Sequence, residues 1–90
     1  MDPHTRPRLR EHLRTEPLDR RLLVYDPNGG MVVELNDTAG LVLQLCDGTR
    51  STADIVAALA DAYPDAAEQV AGEVPGILEE LGERGVLEWG

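Results

Sequence analysis

The sequence MVVELNDTAG, residues 31–40, joins an apolar strand pattern directly to the start of a helix. Alternate positions from Met31 to Leu35 share one face of an extended strand, and that face is wholly apolar. Asn36 is a favourable N-cap, so the hydrophobic period changes from two to 3.6 residues without a spacer. This junction predicts a domain in which a β-strand runs straight into the first helix.

A hairpin is expected immediately upstream of this junction. The run RLLVY, residues 21–25, precedes the loop DPNGG, and MVVEL follows that loop. Pro27 presets φ for a turn, and the two glycines that end the loop accept positive φ. Two β-rich runs around such a turn predict an antiparallel hairpin. A weaker strand is expected within LREHLRT, residues 9–15, which gives two or three strands.

Three helical patterns follow the hairpin. The first begins at Asn36 and ends at Asp47-Gly48, and the second opens with STAD, residues 51–54, a capping-box sequence. The third is expected to begin with Asp65 as its cap, and Pro75 inside it predicts a kink or break near residues 72–76. Helices gathered on one face of a small antiparallel sheet describe an α+β, winged helix-turn-helix-like domain.

Length and charge limit what this domain can do. Ninety residues form one small domain, with residues 1–7 as a flexible tail and residues 8–90 as the folded unit. Residues 51–90 hold nine acidic residues against Arg84 alone, which argues against a nucleic-acid partner. A single cysteine favours a reducing, cytoplasmic setting, and no apolar run suggests a signal peptide or a membrane partner.

Catalytic chemistry finds little support in the sequence. The imidazoles are His4 and His12, and neither is near the single thiol, Cys46, in the sequence. Cys46 falls on an apolar helical stripe, where a thiol usually packs as a small hydrophobe. Three or four closely spaced Cys and His ligands, which a zinc site needs, are absent. We therefore expect no catalytic residues, no metal and no cofactor.

The strand at residues 31–35 is expected to lie at an edge of the sheet if the strand order follows the sequence. Natural edges are usually blocked by Lys, Pro or bulges, and here only Glu34 could serve. Such an edge can accept an extended peptide as an additional strand. A second copy of the chain could cover the same edge, and the residues alone leave these two alternatives open.

A family resemblance bears on this choice. The segment ELNDTAGLVLQLCDGTRSTADIVAALADAYP, residues 34–64, resembles the PqqD family, in which a strand ending Leu-Asn leads into a helix ending Leu-Cys-Asp-Gly. The segments on either side are similar to the family's opening and closing segments; they are RPRLREHLRTEPLDRRLLVY and ILEELGERGVLE. The matching positions are Leu35, Asn36, Leu45, Cys46, Asp47, Gly48, Arg50, Ser51, Ile55, Val56 and Leu59. Pro75 and Gly76 depart from the uninterrupted third helix of that family.

The resemblance implies a RiPP recognition element, a non-catalytic peptide chaperone. Such a domain binds the leader of a ribosomally synthesised precursor peptide and presents it to a radical SAM or other modifying enzyme, as in pyrroloquinoline quinone (PQQ) biosynthesis. Carried onto this sequence, the leader would pair with the strand and lie in a cleft beside the third helix. The implied peptide-binding residues are Met31, Val32, Val33, Glu34, Leu35, Val70, Glu73, Val74 and Ile77.

Two other functions remain as alternatives. The topology alone would suit a winged-helix module that binds nucleic acid, although the acidic second half opposes it. The exposed edge would also suit a homodimeric structural or interaction domain joined through the same strand. The precursor, the product and the partner enzyme do not follow from the sequence.

Overall fold

The computed structural model describes residues 4–89. Five short strands and three helices follow one another in an order that confirms the expected α+β fold, with an antiparallel sheet ahead of three helices. The elements are β1 (Pro7–Leu9), β2 (Arg14–Leu18), β3 (Arg21–Tyr25), β4 (Val32–Leu35), α1 (Asp37–Gln44), α2 (Thr52–Ala62) and α3 (Ala67–Glu83), a 3₁₀ turn (Pro64–Ala66) before α3, and β5 (Leu87–Trp89).

The strands form two separate antiparallel sheets. The larger sheet has the order β2-β3-β4, and the smaller pairs β1 with β5. In the larger sheet Val24 lies opposite Val33, and Leu22 lies opposite Leu35. Because the order follows the sequence, β4 lies at one edge and β2 at the other, so the edge position expected for β4 is confirmed.

The turn between β3 and β4 follows its residue chemistry. The Asp26 N–H donates to the Met31 carbonyl over 2.9 Å, and the Asp26 carboxylate accepts the Asn28 N–H over 2.8 Å. Gly29 takes a φ of 86°, which a side chain would disfavour. The predicted hairpin is therefore present, and it fixes which residues of β4 face the core.

Two of the three helix caps expected from the sequence are present, those at Asn36 and Ser51. The Asn36 side chain accepts the Ala39 N–H over 2.9 Å, so α1 begins where β4 ends. In α2 the Ser51 hydroxyl accepts the Asp54 N–H, while the Asp54 carboxylate accepts the Ser51 N–H. That backbone bond, followed by the hydroxyl, lowers the pKa of Asp54.

The core between the larger sheet and the helices is almost entirely aliphatic. Val24 of β3, Val42 of α1 and Ile55 of α2 are fully buried, and so is Leu78 of α3. β4 contributes Val33 and Leu35, which are 9% and 5% exposed. Leucine, valine and isoleucine thus supply the hydrophobic stabilisation, because the chain has no Phe and the three other aromatics lie outside the core.

Several segment boundaries differ from the sequence expectations. The strand expected over residues 9–15 is divided: β1 ends at Leu9, residues 11–12 form a turn, and β2 occupies Arg14–Leu18. β2 gives no alternating signal because all five of its residues are exposed. The tail expected over residues 1–7 overlaps β1 at Pro7, and residues 1–3 of it lie outside the described part.

The third helix also differs from its expectation. It begins at Ala67 without a side-chain cap, because Pro64–Ala66 form a 3₁₀ turn where Asp65 was expected to act as the cap. Of the kink or break expected near residues 72–76, the break is absent, because α3 runs without interruption through Pro75 to Glu83. Pro75 and Ala71 are both exposed, so water can reach the Ala71 carbonyl that proline leaves without a helix partner.

Candidate peptide-binding groove

A groove of about 810 Å³ separates α3 from the segment where β4 passes into α1. The two walls run in opposite directions: Thr38 faces the part of α3 around Gln69, while Met31 approaches Gly85 beyond the end of α3. The residues lining the groove are Glu34, Leu35, Asn36, Thr38, Ala39, Gln69, Gly72, Glu73, Gly76, Ile77, Glu80, Leu81 and Arg84.

The outer edge of β4 presents unpaired main-chain groups. In an antiparallel pair, residues that exchange hydrogen bonds alternate with residues whose N–H and C=O point away from the partner. Since Asp26 donates to Met31, the next position of β4 in register, Val32, points its backbone groups away from β3. The same alternation turns the backbone groups of Glu34 outward and those of Val33 inward.

The outer edge of β2 follows from the same alternation. On β3 the backbone groups of Leu23 point away from β4, so they form hydrogen bonds with Glu16 of β2. The outward positions of β2 are therefore Thr15 and Pro17. Pro17 has no N–H to offer, and proline at such a position is a common device for blocking an edge.

The α3 wall of the groove is low and partly apolar. Gly72 and Gly76 lie one turn apart and line the groove, and a Cβ added at either would meet no atom within 4 Å. Ile77 and Leu81 lie beside them, and both pack on the hydrophobic core. A guest main chain could therefore approach the helix closely along this wall.

Carboxylates dominate the charge of the groove. The Arg21 guanidinium lies 2.5 Å from the Glu34 carboxylate, which raises the pKa of Arg21 mainly through that hydrogen bond. Glu80 pairs with Arg84 at 3.0 Å. The Glu73 carboxylate accepts a hydrogen bond from the Gln69 amide and, within residues 4–89, has no cationic partner.

Four of the nine residues implied by the family resemblance line this groove together. They are Glu34 and Leu35 from β4, and Glu73 and Ile77 from α3. Leu35 is also a core residue, so its side chain supports the groove from below. The remaining side chains of the implied set lie elsewhere, and the assignment of the set to peptide binding stays a prediction.

The other five residues occupy three kinds of environment. Met31 and Val32 open the β4 segment, and Val32 is 72% exposed on the outer face of the sheet. Val33 faces the core. Val70 and Val74 line a second cavity, between α3 and the other two helices, on the far side of Glu73 from most of the groove.

Sequence reasoning missed most of the α3 wall. Gly72, Gly76, Glu80 and Arg84 line the groove but were not among the implied residues. Their spacing with Ile77 is helical, so projecting α3 on a wheel would have found this face. Gly72 and Gly76 are the ends of the segment in which Pro75 predicts a kink or break, and residues without side chains give no hydrophobic or charge signal of a binding surface.

The structure offers no activated nucleophile or metal cluster within residues 4–89. Burial raises the pKa of the Cys46 thiol to about 12, and the thiol donates to the Val42 carbonyl over 3.2 Å. Within the same residues, no three His, Cys, Asp or Glu side chains are grouped so that they could hold a metal ion. What the site does offer is an open strand edge beside a helix.

The sequence of this chain matches a known protein family. The model of the family "Coenzyme PQQ synthesis protein D (PqqD)" matches residues 21–87, which include β3, β4 and all three helices. The chain belongs to the PqqD family. Both walls of the groove thus lie within the part of the chain that defines this PqqD-family domain.

Curated relatives of this PqqD-family chain carry the name PqqA binding protein. Those from Pseudomonas paraeruginosa (strain PA7) and Pseudomonas aeruginosa (strain UCBPP-PA14) are each 46% identical over 63 residues, 70% of this chain. The relative from Rhodopseudomonas palustris (strain HaA2) is 34% identical over 85 residues, 92% of this chain and 81% of its own. These names describe binding of PqqA by those proteins.

The chain spans 56% of the length of the Pseudomonas relatives. No solved structure gives a significant match. In the part of this PqqD-family chain that the structure describes, no helix has the length and apolar character needed to cross a membrane.

Proposed function

We propose that this chain is a non-catalytic chaperone of the PQQ pathway or a related RiPP pathway. It binds a ribosomally synthesised precursor peptide of the PqqA type by strand addition to β4. It then presents the peptide to a modifying enzyme, a radical SAM protein in the PQQ case, in the cytoplasm. The names of the curated relatives support binding of PqqA.

The observation that carries this proposal is the open outer edge of β4 beside the groove. Val32 and Glu34 each present one N–H and one C=O outward, which makes four main-chain groups available to a guest strand. Every second guest side chain would then lie on the face of β4 to which Leu35 belongs, toward Ile77 of α3.

The expected binding energy is suited to delivery and release. Four main-chain hydrogen bonds contribute about 2 to 6 kcal/mol net, at about 0.5 to 1.5 kcal/mol each. Apolar guest side chains add about 1.5 to 3 kcal/mol each when fully buried. The cost of ordering a flexible peptide offsets much of this gain. We expect a dissociation constant between about 1 nM and about 1 µM.

The charge of α3 favours a peptide over a nucleic acid. The exposed acidic residues of this helix are Glu68, Glu73, Glu79, Glu80 and Glu83. A winged-helix reader needs cations to neutralise phosphates, and α3 and its cap supply Arg84 alone, which is paired with Glu80. The nucleic-acid alternative therefore lacks an electrostatic basis here.

Isotope-labelled protein titrated with the full PqqA peptide of Pseudomonas aeruginosa tests the proposal. We expect the largest amide shifts at Val32–Leu35 and along residues 69–84, because the guest strand would contact both walls. We also expect reduced amide exchange at Val32 and Glu34, whose N–H groups would become hydrogen-bonded.

Two results would refute binding of a PqqA-type peptide at β4. One is no binding of PqqA at 100-fold excess over a 10 µM protein sample, far above the expected range. The other is a set of shifts confined to β1, β2 and β5. Sedimentation of the free protein supplies the control, since a dimer joined through β4 would hide the edge and weaken binding at high protein concentration.

A further inference from the structure

A second cavity of about 320 Å³ lies among the three helices. Its floor contains the buried side chains of Leu59 and Val74, which are 6% and 1% exposed. Leu41 of α1 and Tyr63 after α2 form part of its rim, with Val70 of α3 beside them. This volume lies at the lower end of ligand pockets, about 300 to 1,000 Å³, and is suited to one large side chain.

The rim of this cavity exposes apolar surface that the fold itself does not need. Leu41 is 37% exposed and Tyr63 is 48% exposed. They are two of the five large hydrophobic residues that are exposed in the described part of the chain. Two such side chains above an apolar floor form a concave patch, which is a common feature of an interaction site.

The cavity is continuous with the peptide groove. Thr38, Gln69 and Glu73 line both. The chain leaving β4 passes through Asn36 in the groove to Leu41 at the cavity. A guest strand that extends beyond the Leu35 end of β4 would therefore reach the cavity without leaving the protein surface.

We infer that this cavity binds one apolar side chain of the same precursor peptide, outside its strand-paired segment. The inference rests on the proposed function. Every strand pair in the structure is antiparallel, and antiparallel pairing is slightly more stable per residue. An antiparallel guest has its N-terminal end beside Leu35, so the anchoring residue precedes the paired segment.

The rim charges restrict which residues can accompany this anchor. Asp37 and Glu73 are the charged residues that line the cavity, and both are acidic. A carboxylate in the guest next to the anchor would be repelled, whereas a lysine or arginine would be attracted. The ligand is thus an aliphatic or aromatic side chain with neutral or basic neighbours.

Truncation of the rim side chains tests whether the cavity binds an apolar side chain of the peptide. Leu41→Ala and Tyr63→Ala should each weaken binding of the Pseudomonas aeruginosa PqqA peptide about tenfold, because part of the apolar contact with the bound side chain is lost. Leu18→Ala is the matched control, since Leu18 of β2 is 46% exposed and lines neither the groove nor the second cavity. That variant should bind like the unmodified protein.

An alanine scan of the same peptide identifies the anchoring residue. One apolar position on the N-terminal side of the protected segment should lose about tenfold in affinity. Its substitution should cost little further in Tyr63→Ala, because the two changes remove the same contact. Filling the cavity with Ala66→Leu provides a second variant, which should also lose affinity.

The outcomes separate this inference from the proposed function. If the peptide binds β4 and all rim variants bind equally well, the anchor is wrong while strand addition stands. If the unmodified protein binds no peptide, both are wrong. If the free protein is a dimer that Tyr63→Ala converts to monomers, a second copy occupies the cavity and the anchor is again wrong.

Discussion

The two edges of the larger sheet differ in what surrounds their free backbone groups. The outward groups of β4 belong to Val32 and Glu34, and α3 stands across a groove from them. The outward positions of β2 are Thr15 and Pro17, and all five residues of β2 are exposed. Both strands are edges, yet only β4 combines complete donors and acceptors with a neighbouring wall.

This difference shows that an open strand edge is not sufficient for a peptide site. Main-chain pairing supplies affinity without selectivity, so a second surface must read the guest side chains. For β4 that surface is α3, and the buried side chains of Val33 and Leu35 hold the strand on the core. β2 has a proline on its free side and no buried residue.

The largest expected effect is on stability, and it comes from truncating one leucine on each edge strand. Leu35→Ala removes a side chain that is 5% exposed and should lower the free energy of unfolding by about 2 to 5 kcal/mol. Leu18→Ala, on β2, removes one that is 46% exposed and should change it by at most about 0.5 kcal/mol. Urea denaturation measures both, and equal losses would contradict the different anchoring.

A smaller effect is expected from proline at the outward positions. Glu34→Pro removes an outward N–H from β4 and should weaken PqqA binding about tenfold, through one lost hydrogen bond and the obstruction by the ring. Thr15→Pro removes the corresponding N–H from β2 and should leave the affinity unchanged. Calorimetric titration compares the two variants.

A control is needed because Glu34→Pro also breaks the ion pair with Arg21. Glu34→Gln removes the charge and keeps the outward N–H, so its affinity should stay within about twofold of the unmodified protein, as for an exposed pair. If Glu34→Gln loses as much affinity as Glu34→Pro, the side chain rather than the main chain binds the guest.

The smallest effect is expected at Gly76, on the α3 wall of the groove, where one substitution should raise the stability of the protein and weaken peptide binding. Gly76→Ala should raise the free energy of unfolding by about 0.5 to 1 kcal/mol, because alanine favours the helix and its Cβ meets no atom within 4 Å. The same methyl group points into the groove and should weaken peptide binding about threefold. Thermal denaturation and calorimetric titration test the two signs.

An exposed position elsewhere on α3 serves as the control for that variant. Ala71→Leu adds bulk on the same helix but lines neither the groove nor the second cavity. Its affinity should equal that of the unmodified protein. A gain in both stability and affinity for Gly76→Ala would show that the guest does not approach this wall.

Local sequence signals predicted the elements whose chemistry is self-contained. The DPNGG turn, the Asn36 cap and the capping box at Ser51 each depend on residues within a few positions of one another. The edge position of β4 followed because the strand order follows the sequence. The peptide-binding assignment came from the family resemblance.

Distant contacts explain what the sequence did not reveal. The pairing of β1 with β5 brings Pro7 opposite Trp89, and strands of three residues carry no measurable period. On α3 the expected wall mixed two faces, because Val74 and Ile77 have the same apolar character. Only their packing separates Ile77, at the groove, from Val74, at the floor of the second cavity.

The buried thiol of Cys46 has a practical consequence for spectroscopy. Maleimide reagents attack thiolates, and a thiol that is 4% exposed with a pKa of about 12 is almost entirely protonated at neutral pH. A fluorophore can therefore be attached to a cysteine introduced at an exposed position such as Ala71, while the natural cysteine is left in place. Labelling at the introduced cysteine therefore proceeds without a competing reaction at Cys46.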